Sequence, residues 1–66
     1  MEHKKIEETL YNKFLEILSK HNNPQWALDE LDYLVFVKYY YEFISFSDEE
    51  QWVIRNYMDS LRKIYK

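Results

Sequence analysis

Apolar and polar residues alternate along this chain with a helical period, and two short polar breaks divide the pattern into three. Ile6, Leu10, Phe14, Ile17 and Leu18 recur at helical spacing. Tyr11 and Leu15 widen that stripe, while Lys5, Asn12, Lys13, Glu16 and Lys20 take the other side. The spacing predicts an amphipathic helix over residues 3–20. His21-Asn22-Asn23-Pro24 interrupts it. Asparagine tolerates the left-handed conformation that closes many helices. Asn23 can cap a second helix with Pro24 at its first position, where a missing N–H costs nothing. A link this short sets the two helices side by side and antiparallel.

The second helix is expected over 24–44, and its apolar stripe changes face along the way. Ala27, Leu28, Leu31, Leu34 and Val35 share one side at about 100° per residue. Phe36, Val37, Tyr40, Phe43 and Ile44 crowd the opposite side, and Lys38 and Glu42 sit where the first stripe would have continued. A helix that switches its wet face has either kinked or met a second surface. The stretch from Tyr33 to Ile44 is also the most hydrophobic of the chain, broken only by Lys38 and Glu42. Its valines and aromatics suit a strand as well. A lone strand would find no partner elsewhere in the sequence, so the helix is preferred.

Ser45-Phe46-Ser47 makes the second break. Ser47 and Glu50 have the S-x-x-E spacing of a capping box, and Asp48 and Glu49 complement the positive end of a helix. The third helix is expected over 48–64, with Val53, Ile54, Tyr57, Met58, Leu61, Ile64 and Tyr65 as its apolar stripe. Trp52 falls outside that stripe, on the polar side with Asn56, Asp59 and Lys63. The pattern describes one all-α domain over 1–66, a small three-helix bundle that homodimerisation could complete.

Composition sharpens this picture. The chain has 66 residues, no glycine and no cysteine, so neither disulfides nor thiolate metal sites can support it. A domain this small buries only about 60% of its unfolded surface. Dense aromatic packing or oligomerisation must then add stability. The polar residues Glu2 to Lys5 do not begin a secretory signal peptide, and the apolar stretch is too short to span a bilayer. A cytoplasmic, non-membrane protein is expected. The richness in lysine, asparagine, isoleucine and tyrosine suits a low-GC bacterium or its phages.

The chemistry of catalysis is not visible. His3 and His21 stand eighteen residues apart, about 27 Å along a helix, and cannot share a metal. No glycine loop cradles phosphate, and no constellation of catalytic roles can be assembled. No enzyme, cofactor or metal site is expected. Charge is more telling. Residues 1–24 are neutral, 25–50 carry a net −6, and 51–66 carry a net +3. The acids therefore belong to the segment that holds the tyrosines. Tyr39-Tyr40-Tyr41 fans over most of a helix circumference, so one core cannot shelter all three.

These features point to a small protein–protein interaction module, an inhibitor or antagonist that presents an acidic, aromatic surface to a basic, nucleic-acid-binding protein. Asp29, Asp32, Tyr39, Tyr41, Glu42 and Trp52 are the candidate contact residues, and a homodimer through the spare aromatic face is the companion expectation. The alternatives are a purely structural dimerisation module and a helix-turn-helix-like nucleic-acid reader using Gln51, Arg55, Asn56, Arg62 and Lys63. Against the reader stand the net charge of −3 and the acids at the start of its recognition helix. Direct nucleic-acid binding is not expected.

Overall fold

Helix α1 spans His3–His21 and is closed by Asn22, whose φ of 55° is the left-handed conformation that asparagine accepts at low cost. The Asn22 amide donates to the Leu18 carbonyl at 2.7 Å, which satisfies one of the last carbonyls of the helix. Helix α2 spans Pro24–Tyr33. The Asn23 side chain accepts from the amides of Gln25 and Trp26, and Pro24 opens the helix. The computed structural model describes residues 3–65. Lys66, whose charge would complement the last helix, lies outside them. The described residues contain no strand, and none of their helices is long and apolar enough to cross a membrane.

The helix expected over 24–44 is not continuous. After Tyr33 the chain winds into a π-helical turn, Leu34–Lys38, marked by the Tyr39 amide donating to the Leu34 carbonyl at 2.9 Å, five residues back. Tyr39 then leaves helical geometry (φ −109°, ψ 37°), and a short helix α3 follows over Tyr40–Ile44. The three expected elements therefore become four helices.

Phase explains why. In an unbroken α-helix Phe43 would sit about 120° round from Leu31, on the far side from the core. A π-turn holds more residues per turn, so it absorbs roughly one extra residue. With that residue absorbed, Phe43 returns to within about 20° of Leu31. Both are buried in one cluster, with Phe43 only 4% exposed. The change of face read in the sequence is this rephasing.

Helix α4 spans Asp48–Ile64 and begins with the full capping box. The Glu50 amide donates to Ser47 Oγ at 3.2 Å, and the Ser47 amide donates to Glu50 Oε1 at 2.9 Å. Leu10, Phe14 and Ile17 of α1, Ala27, Leu28 and Leu31 of α2, Phe43 of α3, and Ile54, Met58 and Leu61 of α4 make one core. Phe14, Leu28 and Leu31 are its largest fully buried side chains. Truncating such a leucine to alanine costs about 2–5 kcal/mol, close to the whole stability that a core this size supplies. At the rim, burial pushes the Tyr57 hydroxyl above its ordinary pKa, and a hydrogen bond with Tyr11 does the same for Tyr65. Ile64, expected in the stripe, is exposed, and its neighbour Tyr65 takes the place against α1, its ring 4.9 Å from that of Phe14.

Deleting one residue tests the rephasing. Removal of the exposed Val37 should convert the π-turn into α-helix and leave Phe43 facing Leu31. The variant should keep its helix content and melt within about 8 °C of the parent, equivalent to about 1 kcal/mol. Removal of Asn56 from α4, where no turn can absorb the loss, should abolish the cooperative melt. Thermal circular dichroism reads both. Equal damage from the two deletions would contradict the assignment.

Candidate functional site

Among the described residues, two surfaces combine hollows with exposed aromatic or charged side chains, one beside α2 and α4 and one beside α1 and α3. The first is built on the outer side of α2. Asp29 and Asp32 stand one turn apart, so both carboxylates reach the same point beside α4. Arg62 occupies that point. Its Nη2 donates to Asp29 Oδ1 at 2.8 Å and also to Asp32, and its Nε donates to Asp32 Oδ2 at 3.1 Å. The hydrogen bonds that it donates to Asp32 and then to Asp29 hold the guanidinium above its already high pKa. The arrangement ties the C-terminal end of α4 to α2. It also shows that this carboxylate pair is placed to grip a planar cation.

Exposed aromatic side chains share α2 with the pair. Trp26 and Tyr33 flank Asp29 on α2 and are 65% and 53% exposed. A hollow of about 480 Å³ adjoins them, walled by Tyr33, Phe36, Val37, Arg55, Met58 and Asp59. Phe36 and Phe43 meet edge to face at 5.0 Å, and the Arg55 guanidinium lies 5.4 and 5.2 Å from their centres. Trp52, 66% exposed, shares the α4 face of Arg55 and Asp59 by helical spacing.

The second surface is an open groove of about 950 Å³ between α1 and the segment from the π-turn to the start of α4. Ile6, Leu10, Leu34, Val35, Phe43 and Phe46 give it an apolar floor, and Tyr39 and Glu42 border it. The π-turn makes this wall, because it sets Tyr39 and Glu42 beside Phe43 instead of leaving them in the old stripe. On the α1 side, Lys13 Nζ pairs with Glu16 at 2.9 Å, which raises the pKa of Lys13 and lowers that of Glu16.

The six candidate contact residues therefore do not form one patch. Asp29 and Asp32 belong to the α2–α4 surface, Tyr39 and Glu42 belong to the groove, and Trp52 lies on the exposed face of α4. Tyr41 stands apart, 81% exposed and edge-on to Tyr40 at 6.0 Å. All three consecutive tyrosines are substantially exposed. Trp26 and Tyr33 had not stood out as contact residues in the sequence. Their spacing was the available signal, since two large aromatics seven apart flank Asp29 on the polar side of α2.

Several polar residues have internal work. Gln51 Nε2 donates to the carbonyls of Ile44 and Phe46 at 3.4 and 3.0 Å, which closes the end of α3. Arg55 covers the phenylalanine pair and Arg62 holds the two aspartates. Three of the five side chains in the nucleic-acid reading are thus engaged by their own chain. Each helix-end histidine faces a glutamate, His3 with Glu49 at 3.0 Å and His21 with Glu30 at 2.8 Å. Among the described residues, no group of three or more His, Asp or Glu is placed to hold a metal ion.

No family model matches this sequence, and no curated protein or solved structure is significantly similar to it.

The Arg62 clasp is partly exposed, so its contribution belongs at the upper end of the surface range, about 1 kcal/mol. Arg62→Gln should lower the melting temperature by about 4–8 °C. The gap should shrink in 1 M salt, where the Debye length falls to about 3 Å. Differential scanning calorimetry at two salt concentrations checks this. An unchanged melting temperature would mean that the clasp holds nothing together.

Proposed function

We propose that this protein is a non-catalytic interaction module that binds a basic protein surface with its α2–α4 face. One observation carries the reading. Trp26 and Tyr33, each more than half exposed, flank on α2 a carboxylate pair that is already ordered on a guanidinium of α4, and the exposed Trp52 lies further along α4. Exposed indole and phenol rings are costly to leave in water and typical of interface centres. Aromatic faces and paired carboxylates both attract cations. A lysine or arginine of the partner competes with Arg62 for Asp29 and Asp32, or joins it, and packs its stem on the neighbouring rings. Such a surface resembles phosphate in charge, so antagonism of a nucleic-acid-binding protein is its natural use.

The test starts with affinity capture from the native cell, followed by calorimetry with the purified partner. The captured protein should carry a basic surface. Trp52→Ala, which removes no core contact, should weaken its binding at least tenfold. Asp29→Lys should weaken it further, with helix content unchanged by circular dichroism. A partner indifferent to both variants would overturn the reading. So would tight binding of duplex DNA at physiological salt that is lost on changing Arg55 and Lys63 to alanine.

A further inference from the structure

The edges of the groove between α1 and α3 carry opposite charge. Lys5 and Lys13 stand on the α1 edge with Glu16, a net charge of +1. Glu42 and Glu50 stand on the facing edge, a net charge of −2. One oxygen of Glu50 accepts from the Ser47 amide at 2.9 Å. A basic segment laid in this groove would meet Lys5 and Lys13, and an acidic one would meet Glu42 and Glu50. An occupant must carry both signs, one along each flank.

A second copy of the chain meets that condition by symmetry. We propose that the groove is the interface of a homodimer whose two-fold axis runs along it. Rotation about such an axis lays the α1 edge of each protomer over the Glu42 edge of its partner. Lys5 and Lys13 then face Glu42 and Glu50 twice over, once on each side of the axis, as an isologous contact requires. An axis across the groove would instead set like edges together. Tyr39 and Phe46, half-exposed beside the groove, are the side chains available to fill the partner's floor.

The area is sufficient. A standard stable interface takes about 800 Å² from each partner, about a sixth of the 4937 Å² surface of this domain. The need is also present, because a core of this size is marginal by itself and an apolar floor open to water adds nothing to it. The dimer uses the groove and leaves the α2–α4 surface free, so it does not depend on the partner proposed above.

Charge swapping with sedimentation velocity tests the arrangement. The parent protein should pass from monomer to dimer between low and high micromolar concentration. Lys5 and Glu42 are exposed, so their substitution spares the core. Lys5→Glu and Glu42→Lys should each weaken the dimer roughly tenfold or more, since each change occurs twice in the interface. The two together should restore it. Where either reversal lowers helix content, Lys5→Gln and Glu42→Gln give the same readout in one direction. A parent protein monomeric at high micromolar concentration would overturn the proposal. A dimer indifferent to the single reversals, or single losses that the double reversal does not repair, would do the same.

Discussion

The phase of one helix governs the rest of this molecule. The segment after Pro24 must bury Leu28 and Leu31 against α1 and, three turns later, bury Phe43 against α4. No straight α-helix can do both, because twelve residues at about 100° each carry Phe43 a third of a turn away. The π-turn over Leu34–Lys38 removes the mismatch. Such turns are less favourable than α-helix and often lie at functional positions. Here the rephasing recovers a phenylalanine for the core, and the Phe36–Phe43 pair with Arg55 over it fixes α3 to α4. Gln51 completes that fixation by accepting the role of cap for the carbonyls of Ile44 and Phe46.

The surfaces follow from the same turn. Rephasing sends Phe43 inward and leaves Tyr39 and Glu42 along the groove, where they form a wall opposite α1. On the other side of α2, Asp29 and Asp32 keep the regular spacing of an unbroken helix and so converge on Arg62. The chain thus has an apolar groove with edges of opposite sign and, separately, a cation-gripping face set among exposed aromatics. Aromatic residues are 20% of the chain, more than ten or so buried positions can absorb. Their surplus lies on the surface as Trp26, Tyr33, Tyr41 and Trp52. A small domain gains little by exposing them, and interaction is what such residues offer.

Local rules of sequence reached far into this fold. Asn22, Asn23, Pro24, Ser47 and Glu50 announce both breaks, because capping is a contest between neighbours that needs no tertiary context. The stripes of α1 and α4 name most of the core for the same reason. The π-turn was visible only as a contradiction, an apolar stripe that changed side at Phe36, since no residue type signals an i→i+5 bond. Pairings across the chain were not visible at all. Asp29 and Asp32 read as contact residues for a basic partner, with nothing in the sequence to pair them with Arg62, thirty residues beyond Asp32. The division of the six contact residues into two surfaces was hidden likewise, because it depends on which way α3 turns.

The most direct measurement of this account is the position of the Phe43 ring in solution. Nuclear Overhauser contacts from that ring, recorded on isotope-labelled protein, report its neighbours without altering the chain. The π-turn predicts contacts to the Phe36 ring and to the methyl groups of buried core leucines, with Glu42 facing solvent. An uninterrupted helix would instead direct Glu42 toward Leu31 and leave the Phe43 ring without core contacts, and that pattern would contradict both the rephasing and the groove built on it.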